Sequence, residues 1–404
     1  MNLILVRESE AATETSDATD LSPEDSRTKH ILTHLKKATG DTVSVGYIDD
    51  KNSTCKNSNY NGDGYTCKCI VLQRQNGGIR LVRKPSTILH TPSNLPCITV
   101  LLALPFPARL KYLWPVISSF CYVTRIVIIK SQLSDEEYTN SKALLPATYG
   151  PLIELGMSQG GRTRQVKVDI ACTSNSNGSS EQKGRQTNQY TRLWMENMGL
   201  VHRATTGVNS CDKRVVANDD TTIRIFLDCG DENSSSSPPP PVRDVIIEQY
   251  KQIIQQRTQQ RSDETTSNSS GPMTPSVIMA VGPERGWTED EAKFFTKVCG
   301  YQMATLGPSI LRVDVAVIAG LGIVSSALDE CQSKTINDSI GETDKADASS
   351  SSSRSITSSP FILGRDCIRN MLKLTKVLSA AVKKFVGKRG GGLEGRSNNE
   401  SNIR

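Results

Sequence analysis

Residues 281–316 read VGPERGWTEDEAKFFTKVCGYQMATLGPSILRVDVA, two glycine-proline turns separated by a helix and a strand. The apolar run Val277-Ile278-Met279-Ala280-Val281 stops at Gly282-Pro283, as a buried strand feeding a sharp turn does. Thr288 and Glu291 have the spacing of a capping box, Glu289 and Asp290 add negative charge to the first turn, and Gly300 ends the helix. Residues 301–306 then read as a second strand, Gly307-Pro308 as its turn, and Ser309 as the N-cap of an apolar helix over residues 310–328. Two strand ends therefore each present a glycine turn and lead into a helix. In open α/β sheets ligands bind outside the carboxyl ends of the strands, where glycine lets main-chain groups approach closely. On spacing alone, two ordinary strand-to-helix turns are the commoner explanation.

Upstream of this stretch the pattern changes at residue 97, where strands begin to alternate with helices, which argues for an α/β architecture with a largely parallel sheet. Strands are expected at residues 99–104, 125–130 and 223–227, with helices over 109–119, 151–163 and 242–261. Trp194 is expected in the core. The first 86 residues read differently. Strand-like stretches at 3–7, 42–48, 65–73 and 79–82, broken by a polar helix near 27–37, predict a small β-rich domain. Segments 173–187, 208–220 and 230–275 are rich in Ser, Asn, Gln and Thr, too polar to bury a core, and are expected as disordered insertions. The domains are thus expected at 1–86, 97–330 and a low-complexity tail over 331–404. Within the tail, residues 361–386 form a basic amphipathic helix pattern that suits RNA, an anionic membrane surface or a partner groove. Gly390-x-Gly392-x-x-Gly395 matches a dinucleotide fingerprint only in letters, because no strand precedes it.

With 404 residues the chain has room for two or three domains, yet only 36% of it is hydrophobic, so much of the length lies outside any core. A net charge of +6 is compatible with an acidic partner such as RNA. No apolar run approaches a membrane span, and the N-terminus lacks the basic region and cleavage pattern of a secretory signal. The expected location is cytoplasmic, with an organellar ribosome as the alternative. Eleven irregularly spaced cysteines fit reduced thiols better than a disulfide framework. Cys67-x-Cys69 with Cys55, and His30 with His34, lack the further ligands that a metal centre needs, so no metal site is assigned.

Gly282-Pro283-Glu284-Arg285-Gly286-Trp287 followed by Leu306-Gly307-Pro308-x-Ile310-Leu311-Arg312 resembles the signature of the RsmE-type methyltransferases. Further upstream, Leu102-Ala103-Leu104-Pro105 resembles the family's first knot-domain strand. Residues 151–163, ending in Gln159-x-x-Arg162-Thr163, resemble a family helix, and Lys29 to Val43 resembles its N-terminal region. The resemblance implies a SPOUT-type parallel sheet with a C-terminal trefoil knot, preceded by a PUA-like β-barrel that grips RNA. It implies homodimers that use S-adenosylmethionine to methylate N3 of a uridine in small-subunit ribosomal RNA, on the RNA or a pre-ribosomal particle. Cofactor-binding residues would be Leu104, Gly282, Glu284, Gly286, Leu306, Gly307, Ile310 and Leu311. Lys36, Lys37, Arg109 and Arg162 would meet RNA, although Lys36 and Lys37 also suit a solvated helix face and Arg162 a helix C-terminus.

Methyl transfer from a sulfonium depends on alignment, and a uridine N3 must also lose its proton, so a cation that stabilises the uridine anion is useful. Arg312 is expected as that cation and Asp314 as the carboxylate that orients it or the base. The chain departs from the family's Leu-Arg-Thr-Glu-Thr-Ala by reading Leu311-Arg312-Val313-Asp314-Val315-Ala316, which removes two hydroxyls and shortens one carboxylate. Arg285 stands where another glycine is common. The alternative reading is therefore an RNA-binding ribosome-assembly factor that keeps the fold and has lost turnover.

Overall fold

Apolar and polar residues alternate along short segments of the first ninety positions, and these segments fold into a six-stranded sheet. The computed structural model describes residues 3–10, 17–48, 64–92, 95–171, 192–201, 221–229, 238–263 and 275–343. Segments 173–187 and 208–220, the flanks of the helix within 230–275, the Trp194 side chain, Cys55 and the tail patterns beyond residue 343 lie outside the described residues.

The first sheet comprises β1 (Ile4–Arg7), β2 (Ala18–Leu21), β3 (Thr42–Ile48), β4 (Tyr65–Gln73), β5 (Ile79–Arg83) and β6 (Leu89–His90), with α1 (Ser26–Lys29) after β2. Its order is β1-β3-β4-β5-β2, with β6 also on β4, and only the β1–β3 pair is parallel. Every second residue faces the core: Val43, Val45 and Tyr47 on β3, Cys67, Cys69 and Val71 on β4, Ile79 and Leu81 on β5. Cys67 and Cys69 are thus two rungs of one buried face, with their sulfurs 3.6 Å apart. Strands β2 and β6 were not expected, being only four and two residues long.

The second sheet is wholly parallel. Along the chain come β7 (Cys97–Ala103), α2 (Pro107–Ser118), β8 (Val123–Ile129), α3 (Pro146–Gly160), β9 (Lys167–Ile170), α4 (Arg192–Asn197), β10 (Thr222–Leu227), α5 (Val242–Asp263), β11 (Ser276–Val281), α6 (Glu289–Lys293), β12 (Gln302–Ala304) and α7 (Val313–Thr343). The strand order is β12-β10-β11-β7-β8-β9. Its central strands are near-continuous apolar runs because both faces are covered. On one face Leu101, Val127, Phe226, Ile278 and Ala280 pack with Phe295, Cys299 and Tyr301 from the α6 region. On the other, α7 approaches so closely that Gly320 lies against Met279 of β11. The two sheets are joined where the N–H of Leu3 donates to the Ser158 carbonyl of α3 at 3.0 Å and the Ser158 hydroxyl donates to the Leu3 carbonyl at 2.6 Å. Among the described residues no helix is long and apolar enough to cross a membrane.

Two expected boundaries move. The last core helix starts at Val313, not at residue 310, and Ser309 is not its cap. Gly307 is held by Thr305, whose hydroxyl accepts from the Gly307 N–H and donates to its carbonyl, so residues 305–312 stay outside the helix. The same helix then continues to Thr343, past the expected start of the tail at residue 331. Phe295 is fully buried between Phe226, Trp287 and Tyr301, with ring centroids 5.1–5.2 Å away. Phe295→Ala is expected to cost about 3–5 kcal/mol, measured by urea unfolding, because the aromatic cluster cannot close the void.

Candidate active site

Parallel register brings the ends of β10, β11, β7 and β8 to one edge of the second sheet. Val281 lies beside Leu102 and Ala103 beside Ile129, so the turns that follow β11, β7 and β8 emerge side by side. The turn after β12 joins the same edge, since Leu227 of β10 pairs with Ala304. These are the carboxyl ends where α/β sheets hold ligands.

The first glycine turn has three distinct jobs. At Gly282 an added Cβ would lie 2.9 Å from the indole nitrogen of Trp287, so this glycine makes room for a side chain of the protein itself. At Gly286 the backbone is left-handed, φ 76°, and a Cβ there would meet nothing within 4 Å. Glu284 points back across the sheet edge, accepting from the Phe106 N–H at 3.0 Å and from the Arg109 guanidinium at 2.9 Å. The helix behind the turn begins with the expected capping box of Thr288 and Glu291. Glu291 is fully buried, and its other oxygen takes the Gln132 N–H at 2.8 Å, which ties α6 to the turn after β8.

The second turn is open. Gly307 has φ 130° and also faces space free of atoms within 4 Å. Leu306 and Leu311 are half-buried, and Ile310 is 85% exposed. Leu104 is fully buried, its N–H donates to Ile129 and its carbonyl accepts from Ser134, so it lends the site the placement of the turn that follows it. Arg312 and Asp314, two residues apart, form a two-point pair at 3.1 and 2.5 Å. The Asp314 side chain is largely buried, whereas that of Arg312 is 65% exposed. Burial pushes the Asp314 carboxyl up, but the hydrogen bond and charge of Arg312, helped by Arg109, hold it below the ordinary 3.8. Burial first, and the Asp314 charge second, push the phenol of Tyr112 on α2 above its usual value.

Of the four residues expected at RNA, Lys36 is exposed, with a left-handed φ of 51°, and Lys37 is half-buried, its N–H donating to the Ile31 carbonyl. Arg109 stands at the sheet edge, paired with Glu284. Arg162 is a correction. It is only 6% exposed and donates to the carbonyls of Phe120 and Arg164, tying the end of α3 to the end of α2. A guanidinium turned inward onto carbonyls has no face for RNA.

Beside the first turn lies a cleft of about 260 Å³ lined by Phe106, Arg109, Leu133, Ser134, Asp135, Tyr138, Glu284 and Arg285. Sequence reasoning missed its aromatic walls, although Pro105-Phe106-Pro107, an aromatic held between two prolines, was a usable signal. A larger cleft of about 690 Å³ separates β1 from α3, but its cations are satisfied: Arg7 pairs with Glu154, and Arg27 with Glu10 and Asp25.

Residues 238–325, which contain both glycine turns, match the family model described as RNA methyltransferase domain. The chain is also similar to the structure of a ribosomal RNA small subunit methyltransferase E from Neisseria gonorrhoeae bound to S-adenosyl methionine, at 15% identity over 81% of this chain and 97% of that one, with a TM-score of 0.45. A probable rRNA-methyltransferase from Porphyromonas gingivalis is 12% identical over 81% of this chain and 99% of its own, with a TM-score of 0.47. No curated protein matches.

Because the folded Asp314 carboxyl titrates below 3.8, its pair with Arg312 stabilises the fold fully above that pH and is lost as pH falls through the lowered value. The stability difference between wild type and Asp314→Asn, read from urea midpoints, should shrink as the pH is taken from neutrality to below 3.8. Arg162→Ala is expected to cost about 1–3 kcal/mol by leaving buried carbonyls unpaired. An unchanged unfolding midpoint with weakened RNA binding would return that residue to the surface.

Proposed function

We propose that this chain transfers a methyl group from S-adenosylmethionine to N3 of a uridine in small-subunit ribosomal RNA, acting in the cytoplasm as a homodimer. The observation that carries the reading is the pairing of two open glycine turns with the Arg312–Asp314 pair at one sheet edge, inside the segment that matches an RNA methyltransferase model. Left-handed backbone at Gly286 and Gly307, with open space where a side chain would stand, fits turns that bring main-chain groups against a cofactor. Leu306 and Leu311 flank the second turn with apolar surface. The trefoil arrangement, the barrel character of the first sheet and a division between residues 1–86 and the domain that begins at 97 belong to the same proposal.

The cofactor supplies a methyl group on a positively charged sulfur. Held at the Gly286 and Gly307 turns, the cofactor would supply its methyl to N3 and leave as the neutral thioether, and the N3 proton would pass to water. Arg312 serves this step by placing a cation beside the uridine as its negative charge develops. Asp314, kept ionised by Arg312, is a poor proton acceptor and acts by fixing the guanidinium at two points. The turns align the methyl with N3, and alignment is the larger part of such catalysis. Lys36, Lys37 and Arg109 would steer the RNA backbone.

Mass-spectrometric mapping of ribosomal RNA from cells with and without the protein is expected to show one small-subunit uridine losing its methyl, and an unchanged map refutes the activity. In the purified protein Arg312→Ala should lower kcat by about 10²-fold or more with cofactor affinity intact. Activity that appears only after Val313→Thr and Val315→Thr together would favour the assembly-factor reading.

A further inference from the structure

The cleft beside the first turn has a chemistry of its own. Phe106 is 48% exposed, although a large apolar ring gains by burial. It is also held rigidly, between Pro105 and Pro107, with its N–H bonded to Glu284. Tyr138 meets it edge to face, with centroids 5.7 Å apart and planes at 78°. In that arrangement the ring that presents its edge keeps both faces uncovered by the other. We propose that the Phe106–Tyr138 cleft is a stacking subsite for an unpaired base of the RNA substrate, an inference that rests on the RNA methyltransferase reading above.

Size, polarity and charge each narrow the occupant. At about 260 Å³ the cleft is smaller than the roughly 300–1,000 Å³ pockets that take drug-sized ligands, and is of the scale of one nucleobase. The Ser134 hydroxyl is committed to the Leu104 carbonyl at 3.0 Å, and the Arg109 guanidinium is engaged by Glu284. Recognition would therefore come from the rings more than from hydrogen bonds to base edges, which is sequence-tolerant because every base has a π face. Arg285, 67% exposed and only loosely held by Asp135 at 3.6 Å, stands at the rim where a phosphate would pass. Arg109 lines the cleft from α2, and α2 packs against α7, the helix whose first turn carries Asp314. A base stacked there would anchor the strand next to the reacting uridine.

The test uses the full-length protein with two probes titrated separately, a fluorescein-labelled oligouridylate and S-adenosylmethionine. Phe106→Ala and Tyr138→Ala are each expected to bind the oligonucleotide about tenfold more weakly, and Phe106→Trp to bind it like wild type, with S-adenosylmethionine affinity unchanged in all three. Unaltered oligonucleotide affinity in both alanine variants overturns the subsite. A parallel loss of S-adenosylmethionine affinity makes the cleft a cofactor pocket and overturns it too. An oligouridylate carrying 4-thiouridine should photocrosslink wild type within residues 104–109 or 131–138, and crosslinks confined elsewhere refute the proposal without any variant. If wild type binds the oligonucleotide through this cleft and transfers no methyl group, the proposed activity fails while the stacking subsite stands.

Discussion

The carboxylate of Glu284 joins two turns that are far apart in sequence, and the shape of the candidate site depends on that tie. It accepts from the Phe106 N–H and the Arg109 guanidinium, so the turn after β11 and the start of α2 move as one. The tie is possible only because β11 and β7 run parallel and in register, with Val281 beside Leu102. It also resolves an electrostatic conflict. Arg109 lies in the first turn of α2, where the helix dipole disfavours a cation, and Glu284 supplies the compensating charge. A carboxylate in a glycine turn thereby holds in place a guanidinium that belongs to another part of the chain.

Behind this tie stands a layer that permits little adjustment. Phe226, Trp287 and Phe295 pack ring against ring beneath the first turn, and buried Glu291 satisfies the N–H groups of Thr288 and Gln132. A fully buried carboxylate is costly unless bonded in this way. Glu291 thus links the start of α6 to the turn after β8, just as Glu284 links the turn after β11 to α2. The three turns around the aromatic cleft are connected by side chains as well as by the sheet.

How much of this could be read from the chain varied with the range of the interaction. The buried strands were legible because a sheet covered on both faces leaves long apolar runs, and the capping box because it is a local, i to i+3 device. β2 escaped because four residues paired only with distant β5 carry little periodicity. The start of α7 was misplaced because Ser309 has the chemistry of a cap, while Thr305 and Gly307 close a local loop that keeps the chain out of the helix until Val313. Arg162 follows a helix in sequence, and nothing local says that its guanidinium will turn inward to Phe120. The Arg312–Asp314 pair and the two glycine turns were visible as residue types. That Gly282 answers to Trp287, while Gly286 and Gly307 answer to open space, emerges only from packing.

That last distinction separates two kinds of constraint on one short loop. The indole of Trp287 presses on Gly282, so any side chain at position 282 meets the ring, and any smaller residue at 287 opens a void under the turn. Neither position is free to drift while the other stays, and a change at one is neutralised only by a change at the other. A larger residue at 282 would thus call for a smaller one at 287, which Phe226 and Phe295 also hold. Gly286, whose surroundings are empty, would instead be held by its backbone conformation and by whatever the turn binds.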